Sequence, residues 1–318
     1  MPLVTADATL APRILVTGGA GFIGSHLVDR LLLAGHRVRV LDNFSTGKRG
    51  NLPSEHPALQ VMEGDVADFG QVLATMQDCQ AVVHLAAVAS VQASVDDPAG
   101  THQSNFVGTL NVCQAMAQLS VKRVVFASSA AVYGNNGEGT AIHEDTPKAP
   151  LTPYAADKLS SEYYLDFYRR QHGLEPVVLR FFNIFGPRQD PSSPYSGVIS
   201  IFAQRARQHL PVSVFGDGEQ TRDFVYVGDL VTVLAQAVAT VQPPLGAINV
   251  GLGRSISLNQ LIEALGSAAG QAMNVTYLAA REGDIRHSRA NHQRLLDQAW
   301  LPEPTDIQVG LARLLESL

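Results

Sequence analysis

The chain has 318 residues, 46% hydrophobic and 16% charged, which excludes a disordered polymer and allows one large domain or two joined ones. Its 23 basic and 29 acidic residues leave a net charge of −6, the wrong sign for a nucleic-acid footprint. Two cysteines, Cys79 and Cys113, are too few for a disulfide framework or a cysteine zinc site, and the longest apolar runs, such as 81–91, are interrupted by His84 and Ser90 and are too short for a bilayer core of about 30 Å.

Residues 1–12 lack a basic start followed by an apolar core, so they do not read as a secretory signal. They form an extension ahead of the first strand, and the cytoplasm is the default location. Residues 13–17 (RILVT) predict that strand. In 22–34, Ile23, Leu27, Leu31 and Leu32 recur on one helical face, and Gly35 stops the helix. Strands are predicted over 37–41, 59–62, 81–85 and 121–127, with helices near 69–77 and 101–119 between them. A helix over 154–171 and a strand over 176–180 complete the series. Strands alternating with helices predict an α/β fold, a Rossmann-type doubly wound parallel sheet. After Gly186 and Pro187 the rhythm changes. A loop over 188–197 precedes short helices near 198–209, 229–239, 257–268 and 306–315 and isolated strands near 248–250 and 274–277. The predicted organisation is a doubly wound domain over 13–187 and a smaller mixed lobe over 188–318, with the chain partly shared between them.

Between the first strand and the first helix lies Gly18-Gly19-Ala20-Gly21-Phe22-Ile23-Gly24. Gly18, Gly21 and Gly24 keep a G-x-x-G-x-x-G spacing, which permits a tight turn, close approach of backbone to a pyrophosphate, and close packing of helix on strand. The helix N-terminus at Phe22 and Ile23 supplies N–H groups and partial positive charge. An ordinary glycine-rich turn competes with this while the glycines stand alone; the strand before, the helix after and Asp42 at the end of the second strand decide against it. A carboxylate there, followed by Asn43, binds adenosine hydroxyls and repels a 2′-phosphate, so the expected cofactor is NAD rather than NADP. Asp65 and Val66 follow the third strand, where flanking the adenine and forming a solvated turn are equally open. His84 reads as structural.

Tyr154-Ala155-Ala156-Asp157-Lys158 puts tyrosine and lysine four residues apart on one helical face. A free phenol, with a pKa of about 10, is a poor base at neutral pH. An ammonium beside it favours the phenolate and brings proton transfer toward the working pH. The five residues alone suit a surface pair equally well. Upstream, however, the strand 121–127 runs into Ser128 and Ser129, and parallel strands deliver ligands to their C-terminal ends. Ser129 is placed to bond a substrate hydroxyl; Ser128 is the strand-end serine that satisfies backbone.

Glycine loop, strand-end serine and Tyr/Lys helix together resemble the extended short-chain dehydrogenase/reductase superfamily over nearly the whole chain. Within it the sequence is most similar to the nucleotide-sugar epimerase/dehydratase branch and its UDP-hexose 4-epimerases. The similarity continues through 84–91 (HLAAVASV), 104–109 (SNFVGT), 179–187 (LRFFNIFGP), 215–218 (FGDG), 221–229 (TRDFVYVGD) and 281–284 (REGD). The resemblance implies Tyr154 as catalytic base and acid, Lys158 as holder of the nicotinamide ribose, and Ser129 on the sugar 4-hydroxyl. It also implies Leu85, Ala86, Ala87 and Asn105 beside NAD, and Ser90 and Phe215 beside a UDP-sugar. Asn183 and Arg222 are implied at the diphosphate, with Arg281 and Asp284 at diphosphate and uridine ribose; planar guanidinium forks suit phosphate oxygens.

Dehydratases that resemble this chain carry an acid pair just before Val132-Tyr133-Gly134, and decarboxylases a glutamate at the place of Ala131. Methyl groups at Ala130 and Ala131 neither give nor take a proton, which leaves epimerisation at C4. Epimerisation of a UDP-uronate, reduction of a 4-keto sugar, and a dinucleotide-sensing regulator are the competing readings; the retained Tyr154, Lys158 and Ser129 argue against the regulator. Ser288, four places after Asp284, falls where such epimerases line the wall beside the C2 substituent. A serine leaves room for an acetamido group, so UDP-GlcNAc and UDP-GalNAc are the expected pair, with UDP-Glc and UDP-Gal as lesser substrates. Members of the family are usually homodimers through a helix pair, here 101–119 and 154–171. No metal, nucleic acid or membrane partner is expected.

Overall fold

The structure, a computed structural model, describes residues 11–136, 139–190, 197–280, 285–301 and 303–318. Its strands are β1 (Arg13–Thr17), β2 (Arg37–Asp42), β3 (Leu59–Glu63), β4 (Ala81–His84), β5 (Arg123–Ser129), β6 (Glu175–Phe181), β7 (Asn183–Phe185), β8 (Val212–Phe215), β9 (Thr221–Tyr226), β10 (Ala247–Val250), β11 (Ser255–Ser257) and β12 (Val275–Leu278). The first six fall within two residues of the expected segments. One sheet runs in the order β10-β6-β5-β4-β1-β2-β3. Within it β1 pairs in parallel with β2 and β4, β2 with β3, and β4 with β5. Strand order reverses between β1 and β4. That is the switch point at which doubly wound sheets take ligands, and the glycine loop and Leu85 follow these two strands.

The elements form for local reasons. All four residues of β4 are buried, as expected of a strand covered by helices on both faces. The helix Pro153–His172 starts with Pro153 in its first turn, behind Thr152, whose side chain accepts from Ala155 N. It ends at Gly173 in the left-handed region, the usual stop. The expected helix over 101–119 is less regular: Pro98–His102, a π turn over Gln103–Val107, then Gly108–Leu119. The irregularity sits at Asn105, whose side chain is drawn into tertiary hydrogen bonds, and such bulges collect at functional positions.

Contacts divide the chain into two compact units, each built from three segments. One compact unit comprises Met1–Ser128, Thr152–Leu179 and Val231–Gly246; the other comprises Ser129–Leu151, Arg180–Leu230 and Ala247–Leu318. In the first, Arg123 Nη1 donates to Thr240 O at 2.6 Å, tying in the late segment. In the second, Tyr133 Oη donates to Asn249 Oδ1 at 2.7 Å and Asn249 N to Glu144 Oε1 at 2.8 Å. These buried side-chain bonds assign 129–151 to the later part of the chain, which no local pattern reveals.

The second unit contains β7, β9 and β11 in one small sheet and β8 with β12 in another. Asp223 on β9 is fully buried and accepts from Leu252 N and Gly253 N at 2.9 Å and Ala290 N at 3.0 Å. It thereby fixes the start of β9 against the segment that carries Ser288. Among the described residues no helix is long and apolar enough to cross a membrane, and no group of three or more His, Cys, Asp or Glu is placed to hold a metal.

Candidate active site

The glycine loop is closed by protein at two points and open at a third. Gly18 has φ +68°, and a Cβ there would lie 2.8 Å from Ala86 N. A Cβ on Gly24 would lie 2.1 Å from Gly18 O. Gly21 is different: an added Cβ would meet only Gly18 O, at 3.3 Å. The helix Phe22–Leu33 that it opens has no side-chain cap, so the N–H groups of its first turn are left for an anion.

Asp42 is buried at the end of β2. Its Oδ2 accepts from Ala20 N and its Oδ1 from Phe44 N, both at 2.8 Å. An ionised carboxylate has about four lone-pair sites, so each oxygen keeps capacity for a ribose hydroxyl. Asn43 donates to Asp65 Oδ2 at 2.9 Å, and Asp65 Oδ1 accepts from Ala67 N at 2.8 Å. Asp65 thus closes the turn after β3, and Val66 beside it is buried with its carbonyl held by Asn111 at 2.9 Å. These residues fit a pyrophosphate and an adenosine with a free 2′-hydroxyl. Asn105, expected beside the cofactor, uses its amide on Val88: Val88 N donates to Oδ1 at 2.7 Å and Nδ2 donates to Val88 O at 3.1 Å. It pins the loop of Leu85, Ala86 and Ala87 against Gly18.

Lys158 is buried on the helix Pro153–His172, with Nζ 5.8 Å from the Tyr154 ring centroid and 5.0 Å from that of Phe126. Burial pulls its pKa down to about 8, against the raising charges of Asp157 and Glu162. Glu162 also accepts from Ser128 Oγ, so Ser128 serves this helix rather than backbone. Ser129 Oγ accepts from Ala131 N at 3.1 Å, which leaves its hydroxyl proton to give away.

His84 is wholly buried between hydroxyls. Thr109 Oγ1 donates to Asn105 O at 2.6 Å, so it accepts from His84 Nε2 at 3.1 Å. Nδ1 then takes the Thr17 hydroxyl proton at 2.7 Å, and Thr17 Oγ1 accepts from Leu85 N and Ala86 N at 3.2 Å. Burial and, less strongly, the nearby Lys158 hold the His84 pKa down to about 3. The ring is a neutral strut that fixes the chain after β4.

In the second unit a cavity of about 450 Å³ is lined by Asn183, Phe215 and Arg222 together with Phe202, Arg205 and Gln220. Three residues expected at the substrate therefore share one wall. Arg222 Nη1 donates to Thr221 O at 2.9 Å, Asn183 Nδ2 to Asp223 O at 3.3 Å, and Gln220 Nε2 to Phe215 O at 2.8 Å. Two guanidinium groups and two phenyl rings suit an anion attached to a flat base. Phe202 and Arg205, which sequence reasoning missed, lie three residues apart on the helix Val198–Arg207; this spacing is the only signal they gave.

Ser288 is half-buried, and its N donates to Thr221 O at 3.2 Å, next in sequence to Arg222. Ser90 caps the helix Val91–Asp96, its Oγ accepting from Ala93 N at 3.0 Å. Arg281 and Asp284 lie outside the described residues.

The model of the NAD dependent epimerase/dehydratase family matches residues 14–251. A UDP-glucose 4-epimerase of Mycolicibacterium smegmatis is 37% identical over 313 residues, covering 96% of this chain and 97% of that protein. Among solved structures, the UDP-N-acetylglucosamine 4-epimerase of Methanobrevibacter ruminantium, in complex with UDP-N-acetylmuramic acid, has a TM-score of 0.91 and 37% identity, covering 96% of this chain and 98% of its own. The UDP-glucose 4-epimerase of Thermus thermophilus, in complex with NAD, has a TM-score of 0.88 and 39% identity, with the same two coverages of 96% and 98%.

Proposed function

The chain belongs to the NAD dependent epimerase/dehydratase family, and from that premise we propose that it interconverts the C4 epimers of a UDP-hexose. NAD is its cofactor; held at the glycine loop and Asp42, it would supply a reversible hydride acceptor for C4 of the sugar. Tyr154 Oη removes the proton of the 4-hydroxyl and later returns it. The Lys158 ammonium favours the phenolate, and Ser129 orients the 4-hydroxyl. Arg222, Asn183 and Arg205 hold the diphosphate, and Phe215 and Phe202 the base, while the sugar turns over. The observation that carries the assignment is Ala130-Ala131 in the turn directly after Ser129, where dehydration and decarboxylation lack their acid. The names of the relatives support it.

Within that activity we propose UDP-GlcNAc and UDP-GalNAc as the preferred pair. What supports the preference is Ser288, a small side chain beside β9, and the similarity to an N-acetylglucosamine epimerase. Ser288→Tyr adds a rigid ring, and overpacking a fitted site costs about 1–3 kcal/mol, roughly 5- to 150-fold in rate. The test is kcat/KM for the acetylated and plain hexose pairs in both proteins. The loss is expected on the acetylated pair, with the plain pair spared. Equal loss on both removes Ser288 as the selective wall, and a wild type inactive on UDP-GlcNAc refutes the substrate preference.

A further inference from the structure

Asp157 stands one residue before Lys158 and is 6% exposed. Its Oδ1 meets His102 Nδ1 at 2.7 Å. Its Oδ2 has no hydrogen-bond partner among the described residues, nor does the buried Oγ of Ser161, one turn further along the same helix. A buried carboxylate with one oxygen unsatisfied costs stability, and a buried charged pair is often replaced by apolar residues at no loss. Its presence therefore asks for a role. Neither the dinucleotide cradle nor the Arg222 cavity uses it.

The groups that face Lys158 are few. From its own helix come Tyr154, Asp157 and Glu162; from β5 comes the apolar ring of Phe126; from β4 comes His84. Among the described residues the two carboxylates favour the ammonium, with Asp157 the stronger, and Glu162 is shared with the Ser128 hydroxyl. On the far side of Asp157, the half-exposed His102 ring is stacked on Phe106 with centroids 5.1 Å apart. Phe106 in turn stands edge-on to Tyr164 at 4.9 Å. The imidazole is therefore fixed where its Nδ1–H points into the carboxylate.

We propose that Asp157, held by His102, is a positioning residue of the reaction: its buried negative charge keeps Lys158 an ammonium beside Tyr154, and the His102 N–H keeps that carboxylate in place. The proposal rests on the assignment of Tyr154 and Lys158 as the reactive pair. Without the carboxylate, burial drives Lys158 toward the neutral amine, which cannot favour a phenolate. Without His102, neither carboxylate oxygen keeps a hydrogen-bond partner among the described residues and the side chain is free to turn from Lys158, with the same result.

The chain holds four lysines, Lys48, Lys122, Lys148 and Lys158, so ε-¹³C-lysine labelling gives four resonances, with Lys158 assigned by its loss in Lys158→Met. In the full-length protein Lys158 is expected to titrate at about 8. Asp157→Asn should move that midpoint down by about one pH unit, a tenfold change in ammonium fraction on the limb. His102→Ala should move it the same way, and His102→Gln, which keeps an N–H donor, should restore it. The alkaline limb of kcat for UDP-glucose/UDP-galactose interconversion should follow, while KM for UDP-glucose holds.

An unmoved Lys158 midpoint in Asp157→Asn overturns the proposal. If that variant does not fold, the comparison of His102→Ala with His102→Gln decides: equal midpoints refute it. A chain that turns over no UDP-hexose but shows the Lys158 shift supports the pair and refutes the epimerase assignment.

Discussion

Tyr154 and Lys158 share a helical face, and the surroundings of Lys158 set what the pair does. Tyr154→Phe removes the hydroxyl proposed to transfer the proton while leaving the ring in place, so NAD content and folding should hold. Epimerisation should fall by about 10²–10⁴, read as turnover per bound dinucleotide; near-wild-type rates would end the role of Tyr154. His84 makes a separate prediction. Its pKa is about 3 in the folded chain and about 6.5 when unfolded, so between these values the unfolded state binds the extra proton. His84 therefore adds nothing to pH dependence above about pH 6.5, and stability falls as the pH drops from there toward 3. One proton corresponds to about 1.4 kcal/mol per pH unit. Urea unfolding at pH 6 and pH 4.5 should give a shallower acid loss in His84→Gln than in wild type. Identical slopes would show that His84 is not the group responsible.

At the scale of elements, the glycine loop and the helix Pro153–His172 carry the sharpest consequences. Gly24→Ala pushes a Cβ to 2.1 Å from Gly18 O, where neither backbone can yield cheaply, so dinucleotide content should be lost together with several degrees of thermal midpoint. Gly35→Ala meets no atom within 4 Å and pays only for its φ of +83°, about 1 kcal/mol. Absorbance of released dinucleotide and a melting curve separate the two, and equal effects would refute the close-packing account.

Tyr163 is 64% exposed, and Tyr164, Phe167, Val91 and Val95 are exposed with it in the first unit. The homodimer that the resemblance implies is expected to use this face. Tyr163→Glu together with Phe167→Glu should shift the mass measured by light scattering from dimer to monomer; an unchanged mass would remove the face from the interface.

The elements that sequence displays best are those whose burial is regular. β1, β2, β4, β5 and β6 are mostly buried, and their alternation with helices marks a parallel sheet; β3 has no buried residue and is marked by that alternation. β7, β8 and β11 have three or four residues, and β9 opens on the polar Thr221, Arg222 and Asp223, so motif and strand coincide and the strand is hidden.

At the scale of the whole molecule, the chain's path through two compact units was not legible. The assignment of 129–151 depends on buried bonds such as Tyr133 to Asn249, 116 residues apart in sequence. The same limit governs the site. The glycine loop, Asp42 and the Tyr/Lys pair are local patterns and could be read directly, whereas His102 and Asp157 lie 55 residues apart and meet only through tertiary packing. Arg205 entered the Arg222 cavity in the same way. The central chemical claim is that a hydrogen leaves C4 and the same hydrogen returns to it on the other face. UDP-glucose deuterated at C4 tests that claim directly. The account predicts UDP-galactose that retains deuterium at C4, formed without added cofactor and without a 6-deoxy product; loss of the label from C4, or a 4-keto-6-deoxy sugar in place of the epimer, would contradict it.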